Sequence, residues 1–129
     1  MRRILLNDYD VSSAVTASNI MVGFRRQLDA FPCITIFRVG GSTKGKLGFK
    51  TSPWGSRERT EDKLIQVDIF NTNSIEDLEL LDDKVIKAVM SGSSTGEAYS
   101  LVSNPSNFDD SYDAYRTVQT WLLSEIVSD

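Results

Sequence analysis

The sequence predicts an α+β fold, with a mostly antiparallel sheet, one main helix packed on one face, and a long loop or hairpin. Two observations predict the sheet. Residues 33–39 form a continuous β-branched and aromatic run, and residues 64–70 alternate so that one face is purely β-branched. A third observation predicts the helix, because apolar side chains recur every three or four positions from Leu78 to Val89.

The N-terminal part of the chain is less regular. Residues 1–19 predict either a short helix capped by Asp10 or an arm, and residues 20–24 are β-like. Pro32 fits the first position of the next strand, where its missing N–H costs least. Gly40–Ser42 is expected to end that strand.

Residues 40–60 are expected to form a long loop or a loose hairpin, because glycines and a proline interrupt a segment with little apolar periodicity. Loops of this length inside compact domains are usually functional or disordered. The segment Gly40–Lys46 is similar to a phosphate-binding loop, since its glycine-lysine pair has the correct spacing from the first glycine. Leu47 replaces the Ser or Thr that would bind Mg²⁺, and no helix pattern follows, so this match is rejected.

The main helix is expected to begin at a Ser74 cap. Asp77 stands three residues later, in place of the usual Glu of a capping box. Gly92 is expected to end the helix as a left-handed cap. Asp82 and Asp83 are expected on the solvent side of this helix.

The C-terminal segment is predicted to be mainly strand. Residues 99–102 predict a short strand and residues 104–107 a turn. Residues 115–127 alternate like a long strand, while residues 122–127 also fit a helix. The strand is preferred because the threonines, valine and tryptophan in this stretch are better strand formers.

Composition bounds the function. The 129 residues fit one domain spanning the chain, and no stretch approaches the length of a membrane span, so we expect a protein made and used in the cytoplasm, with no membrane partner. The chain has no histidine, which excludes Ser-His-Asp and Cys-His nucleophiles, imidazole metal sites and histidine pH switches. Its single cysteine, Cys33, is interpreted as a small buried side chain in a strand.

Adjacent carboxylates occur at residues 61–62, 82–83 and 109–110. Paired carboxylates can act as general acid and base or hold Mg²⁺. Neighbouring side chains on a strand or helix point in different directions, so none of these pairs converges by itself. We therefore expect no enzymatic activity, no catalytic or metal-binding residues, and no cofactor.

Charge is distributed unevenly along the chain. From Lys44 to Arg59 there are five basic residues and one acidic one, whereas Asp109, Asp110 and Asp113 follow one another without a base. Such segregation suits surfaces that meet complementary surfaces, and two solvated loops of opposite sign explain it equally well. The candidate interaction residues are Lys44, Lys46, Lys50, Trp54, Arg57 and Arg59.

The order of motifs from residue 30 to residue 121 resembles a known family. The features that carry it are Phe31–Ile36, Lys63–Phe70 with its Ile-Gln-Val-Asp, the helix residues Leu78, Leu81, Asp82 and Val85, and Asp110–Trp121 with its Tyr115-Arg116. This order resembles the tail terminator (tail-completion) proteins of long-tailed phages, which overlap with minor head–tail joining proteins. Two departures stand out, because residues 1–19 lack a clear first helix and residues 91–107 carry no matching signature.

The resemblance implies a virion structural protein of the tail or neck, assembled in the host cytoplasm. It implies a homohexameric ring that caps the tail tube and provides the surface on which the head docks. Partners would be further copies of the chain, the tail tube protein and a head–tail connector or stopper protein, with DNA passing through the lumen without specific binding. Six copies at a net charge of −4 would carry −24, and like charge around a lumen would keep DNA from adhering.

Other functions fit the same features. One is a different neck component, such as a head-completion connector protein, which subunit number and position in the virion would distinguish. Another is a small module that binds single-stranded nucleic acid, with Phe49 and Trp54 stacking on bases among the basic residues. An enzyme with scattered acidic residues ranks last.

Overall fold

The computed structural model describes residues 1–23, 31–46, 58–92 and 97–128. In chain order its elements are α1 (Arg2–Asn7), α2 (Tyr9–Ala14), a 3-10 turn (Ala17–Asn19), β1 (Ile20–Val22), β2 (Cys33–Lys46), β3 (Glu58–Asn71), α3 (Ile75–Gly92), β4 (Glu97–Ser103), β5 (Ser106–Asp109) and β6 (Ala114–Ser128). The predicted class is confirmed, because one long helix accompanies a mostly antiparallel sheet.

The described strands form one six-stranded sheet. Its order is β1-β2-β3-β6-β4, and β5 also pairs with β6 beside β4. Only the short contact between β1 and β2 is parallel, while β2–β3, β3–β6, β4–β6 and β5–β6 are antiparallel. Strands β3 and β6 pair from Glu58 opposite Ser128 to Asn71 opposite Tyr115, and they form the centre of the sheet.

The core lies between the helices and one face of this sheet. Val67 and Ile69 of β3 are fully buried there, as the β-branched face predicts. Trp121 of β6 is also fully buried, and its ring meets Tyr99 of β4 edge-on at a centroid distance of 6.4 Å. The apolar stripe of α3 packs into the same core and contributes the buried side chains of Leu78, Leu81, Val85, Ala88 and Val89.

The N-terminus packs on the core and is not an arm. Two short helices replace the single one that the sequence suggests, and the cap of α2 is Asp8 rather than Asp10. The Asp8 carboxylate accepts a hydrogen bond of 3.1 Å from the backbone N–H of Val11. Apolar side chains from both helices and from the residue that follows α2 are buried in the main core, namely Ile4, Leu5, Val11 and Val15. Burial of these side chains holds in place helices that are too short to be stable alone.

Strand β2 is longer than predicted. Gly40–Ser42 does not end it, since the strand continues to Lys46 and pairs with a β3 that already begins at Glu58. Residues 40–46 and 58–60 of the expected loop are therefore strand, in line with the hairpin alternative. Cross-strand pairing overrides the weak strand propensity of these glycines.

Helix α3 begins as predicted and ends differently. The backbone N–H of Asp77 donates to Oγ of Ser74 at 3.1 Å, which confirms the cap. Gly92 is the last helical residue and does not have the positive φ of a left-handed cap. A Cβ atom at Gly92 would lie 2.5 Å from Cγ2 of Ile4, so this glycine permits the close approach of α1 to α3.

The C-terminal segment is the predicted strand. β6 runs without interruption from Ala114 to Ser128, and the helix alternative for residues 122–127 is wrong. The turn expected at residues 104–107 is shorter than predicted, because Ser106 already begins β5. Both β4 and β5 lie along the same side of β6, so only a brief interruption separates them.

A second, smaller cluster lies on the opposite face of the sheet. It joins Cys33, Phe70 and Ala114, with Tyr112 packed edge-on against Phe70 at 5.0 Å. Cys33 is fully buried, as predicted, and burial raises the pKa of its thiol to about 12. Within the part of the chain that the structure describes, no helix is long and apolar enough to cross a membrane.

Candidate functional site

Three of the six candidate interaction residues lie on the hairpin of β2 and β3. Lys44 and Lys46 are on β2 and Arg59 is on β3, where Lys46 and Arg59 are cross-strand partners. The pairing thus brings basic positions from both arms of the hairpin to its far end. The other three candidates, Lys50, Trp54 and Arg57, lie outside the described residues.

The neighbouring strand β6 brings one acidic residue, Glu125, near this end of the sheet. Glu125 stands opposite Glu61 in the β3–β6 register, and Lys63 of β3 forms an ion pair with Glu125. Both partners of that pair are partly exposed, so it contributes about 0–1 kcal/mol. The hairpin is therefore a region of mixed charge.

Residues that carry the family resemblance meet in a polar cluster on the face opposite the helices. Arg116 of β6 donates from Nη2 to Oδ2 of Asp68 at 2.6 Å and from Nη1 to Oδ2 of Asp109 at 3.0 Å. Gln66 of β3 donates to Oδ1 of Asp68 at 2.9 Å. The guanidinium also lies 5.4 Å from the centre of the Phe70 ring, within the range of a cation–π contact.

This cluster further stabilises the charged form of Arg116. Burial alone would lower the pKa of Arg116, but hydrogen bonds and negative charge from Asp68 and then Asp109 outweigh it and raise that pKa. Asp68 is almost fully buried, and its carboxylate forms an ion pair with the guanidinium of Arg116. One guanidinium thereby ties β3, β5 and β6 together.

A second polar chain runs through the helix side of the sheet. Gln119 of β6 donates from Nε2 to Oδ1 of Asp82 at 2.6 Å, and its Oε1 accepts from Nε1 of Trp121 at 2.8 Å. Asn104, just after β4, donates to Oδ2 of Asp82 at 3.0 Å. The prediction that Asp82 faces solvent is wrong, since its side chain points to the sheet and is buried, while Asp83 is exposed as predicted.

The three carboxylate pairs do not converge into a reaction centre. Asp62 accepts a hydrogen bond from Ser124 at 2.8 Å, Asp82 is held by Gln119 and Asn104, and Asp109 is bonded to Arg116. Among the described residues, no group of three or more acidic or cysteine side chains is arranged to hold a metal ion. The glycine-rich segment from Gly40 is extended strand rather than a loop around a phosphate.

One groove lies beside the helices. It has a volume of about 370 Å³ and runs between α1 and the end of α3, with Arg3, Asn7 and Ser91 among its lining residues. Its polar side chains are ordinary exposed surface groups, and the histidine-free chain supplies no imidazole base beside them. The residues that line this groove do not form a catalytic or ligand-binding arrangement.

The sheet edges are the more distinctive feature. Strand β1 covers β2 only at Ile34, Thr35 and Ile36, and on the described residues no strand lies beyond β4. Each of these edge strands has an irregularity with an exposed valine, Val39 on β2 and Val102 on β4. The sequence does not single out these two exposed valines, since Val39 ends the apolar run 33–39 and Val102 directly follows Leu101.

Comparison with known proteins shows what this fold is similar to. No family model matches the chain, and no curated protein matches it. Among solved structures, the fold is similar to that of a chain in the virion of a native gene transfer agent particle. The TM-score is 0.65 over 97% of this chain and 90% of that chain, with 10% sequence identity. The two chains share a fold over nearly their whole length.

Proposed function

We propose that the protein is a non-enzymatic structural component of a phage-like virion, a ring-forming tail terminator that caps the tail tube and provides the head-docking surface. The observation that carries this proposal is the fold shared, over 97% of the chain, with a chain of a gene transfer agent virion. The independent resemblance of its motifs to phage tail terminators supports the same role.

The positions of the motif residues agree with a structural role. Asp68 and Arg116 join strands on one face of the sheet, and Asp82 joins the main helix to the other face. These residues therefore maintain a scaffold, in which their polar groups bond to one another except for the buried Nε of Arg116, which has no hydrogen-bond partner among the described residues. A scaffold fixed in this way suits a subunit whose surfaces, rather than a pocket, perform the function.

The proposed assembly is a homohexamer located in the virion and formed in the host cytoplasm. A ring requires two different surfaces on each subunit that meet and close, and a sheet with two different edges offers them. The six subunits would carry a net charge of −24, from −4 on each, which allows DNA to pass through the lumen without adhering. A ring whose lumen is strongly basic would contradict that last point.

The basic residues between Lys44 and Arg59 are the proposed contact with an adjacent acidic ring, formed either by the tail tube protein or by a connector or stopper protein. Replacing Lys44, Lys46, Arg57 and Arg59 by Ser should abolish head–tail joining while the subunit still folds. The matched control replaces Lys84 and Lys87 by Ser, since both are exposed on α3, away from the hairpin. Normal joining by the hairpin variant would rule out this docking surface.

Sizing of the purified chain by light scattering, followed by negative-stain imaging, tests the ring itself. Closed rings of about six copies are expected, alone or on purified tail tubes. A different fixed subunit number, or a position at the head rather than the tail end, would favour another neck or head-completion connector protein.

A small nucleic-acid-binding module is the second candidate, because the hairpin places Lys46 opposite Arg59 and Lys44 nearby. Binding of single-stranded DNA that weakens steeply with salt would support it, since phosphate contacts release counterions. Absence of such binding at low salt would leave the virion role.

A further inference from the structure

Among the described residues, two edge segments of the sheet lie at the same height on its opposite sides. Cα pairing across the sheet places Gly40 of β2 level with Leu64 of β3, then with Leu122 of β6, and finally with Ser100 of β4. The residues on either side of Gly40 and Ser100 are aligned in the same way. Arg38 of β2 is level with Leu101 of β4, and Ser42 is level with Ala98, through the same central strands.

The two edge segments also run in opposite directions. β2 is antiparallel to β3, β3 to β6, and β6 to β4, so β4 runs antiparallel to β2. A rotation about an axis parallel to the strands brings β4 of one copy beside β2 of the next copy. Such a rotation changes neither the position of a residue along the strand axis nor the direction in which each strand runs. The result is an antiparallel pair, the more stable of the two pairing modes.

These edge segments carry some of the features that limit pairing and lack others. Each has an irregularity, at Val39 or at Val102, and Arg38 donates from Nε to the backbone oxygen of Gly40 at 3.2 Å. Residues 38–42 of β2 lie beyond the three positions that β1 covers, and no other strand of the described residues covers them. Val39 is 48% exposed and Val102 is 60% exposed. Natural edge strands usually carry charges, prolines or covers that prevent pairing, whereas exposed apolar side chains favour it.

We infer that residues 38–42 of β2 pair with residues 98–101 of β4 in a neighbouring copy of the chain, antiparallel, with Gly40 opposite Ser100. The sheet then continues from subunit to subunit through backbone hydrogen bonds. Because the two edges differ, the contact is head-to-tail rather than two-fold, and it forms the proposed ring when the rotation between neighbouring copies closes. This pairing depends on the proposed ring, and it specifies which surfaces close it.

A disulfide between cysteines at Gly40 and Ser100 tests the register. Opposite residues in an antiparallel pair have Cα atoms about 4.5–5.5 Å apart, within the range that a disulfide spans. Within one subunit the two positions are separated by three strand spacings, or about 14 Å, so they cannot cross-link internally. A Cβ atom at Gly40 lies 3.7 Å from its nearest neighbour, Cδ1 of Leu64, and therefore fits.

The double variant, Gly40→Cys with Ser100→Cys, should give a ladder of covalent oligomers on mild oxidation, ending at the size of the ring and collapsing on reduction. Each single variant should give no ladder. The control pair is Gly40→Cys with Ser103→Cys. Because Val102 is left out of the pairing between β4 and β6, Ser103 lies two register positions from Ser100, or roughly 7 Å along the strand. The control pair should therefore cross-link at least tenfold less. Circular dichroism and thermal melting confirm that each variant is folded.

The outcomes separate this inference from the function on which it depends. Rings seen by light scattering and imaging, with the double variant folded but not cross-linked, would overturn the edge pairing and leave the ring function intact. Covalent dimers of the Gly40→Cys variant alone would show two β2 edges meeting and would also overturn it. If the chain forms no ring, either alone or on tail tubes, the proposed function fails and the edge pairing fails with it.

Discussion

Gln119 of β6 donates a hydrogen bond of 2.6 Å from Nε2 to Oδ1 of Asp82 on α3, and neither side chain is open to solvent. The same amide accepts from the indole of Trp121 through Oε1 at 2.8 Å. Both polar ends of a fully buried glutamine are thus satisfied. Since burying an unsatisfied polar group costs about 1–3 kcal/mol, this chain fixes the position of the main helix over the sheet.

Asp82→Ala should lower the free energy of unfolding by about 1–3 kcal/mol, because it removes the carboxylate that accepts from Gln119 and Asn104 and leaves the buried Gln119 amide only the contact of 3.4 Å with the backbone oxygen of Asp82. Asp82→Asn should cost less, since one acceptor oxygen remains. The control is Asp83→Ala, which changes an exposed neighbour and should stay within about 0.5 kcal/mol of the parent. Urea denaturation provides the measurement, and equal effects at the two positions would refute the buried chain.

Arg116 and Asp68 give a second prediction about stability. Asp68→Ala should cost about 2–3 kcal/mol, since it removes a nearly buried carboxylate and leaves Arg116 with Asp109 alone. Lys63→Ala breaks the more exposed ion pair with Glu125 and should cost no more than about 1 kcal/mol. A loss at Asp68 as small as the loss at Lys63 would show that the cluster is solvated.

Cys33 gives a prediction about pH. Its thiol pKa is about 12 in the folded protein against an ordinary value of 9.0, because burial disfavours the thiolate. Unfolding therefore releases a proton above pH 9, and this contribution to stability, fully present below pH 9, is lost as the pH rises towards 12. The loss is about 1.4 kcal/mol per pH unit in that window.

Cys33→Ala isolates that contribution, because tyrosines and lysines titrate in the same range in both proteins. Between pH 8 and pH 10 the parent should lose about 1.4 kcal/mol more than the variant in urea denaturation. In addition, a thiol reagent at pH 8 should label the parent only after unfolding. Rapid labelling of the native protein would contradict the burial of this side chain.

The sequence was sufficient for elements whose pattern matches their environment. The face formed by Val67 and Ile69, the Ser74 cap and the apolar stripe of α3 all follow from local spacing, and the structure has each of them. The burial of Cys33 was equally predictable, since this residue lies in an apolar strand.

Other features depend on contacts between distant residues. Asp82 looks like a solvent-facing helix carboxylate until Gln119, 37 residues away, supplies a donor. Gly92 looks like a cap until Ile4 packs against it, and Gly40 looks like a strand end until β3 pairs beside it. The edge relationship between Gly40 and Ser100 exists only once four strands are aligned, so no local pattern could indicate it.

The exposed valines of the two edges give a final prediction about assembly. Val39→Lys and Val102→Lys should each leave the free energy of unfolding within about 0.5 kcal/mol, because both side chains are about half exposed or more in the subunit. Each should weaken ring formation, because Val39 lies within the paired segment 38–42 and Val102 lies directly beside the paired segment 98–101, where a charged side chain would be brought against a neighbouring strand. Met90→Lys is the matched control, being 60% exposed on α3 away from both edges. Analytical ultracentrifugation across a range of concentrations measures the effect. Equal ring formation by all three variants would exclude the two edges from the subunit contact. A loss of ring formation confined to the two valine variants would support the contact between β2 and β4 of neighbouring copies.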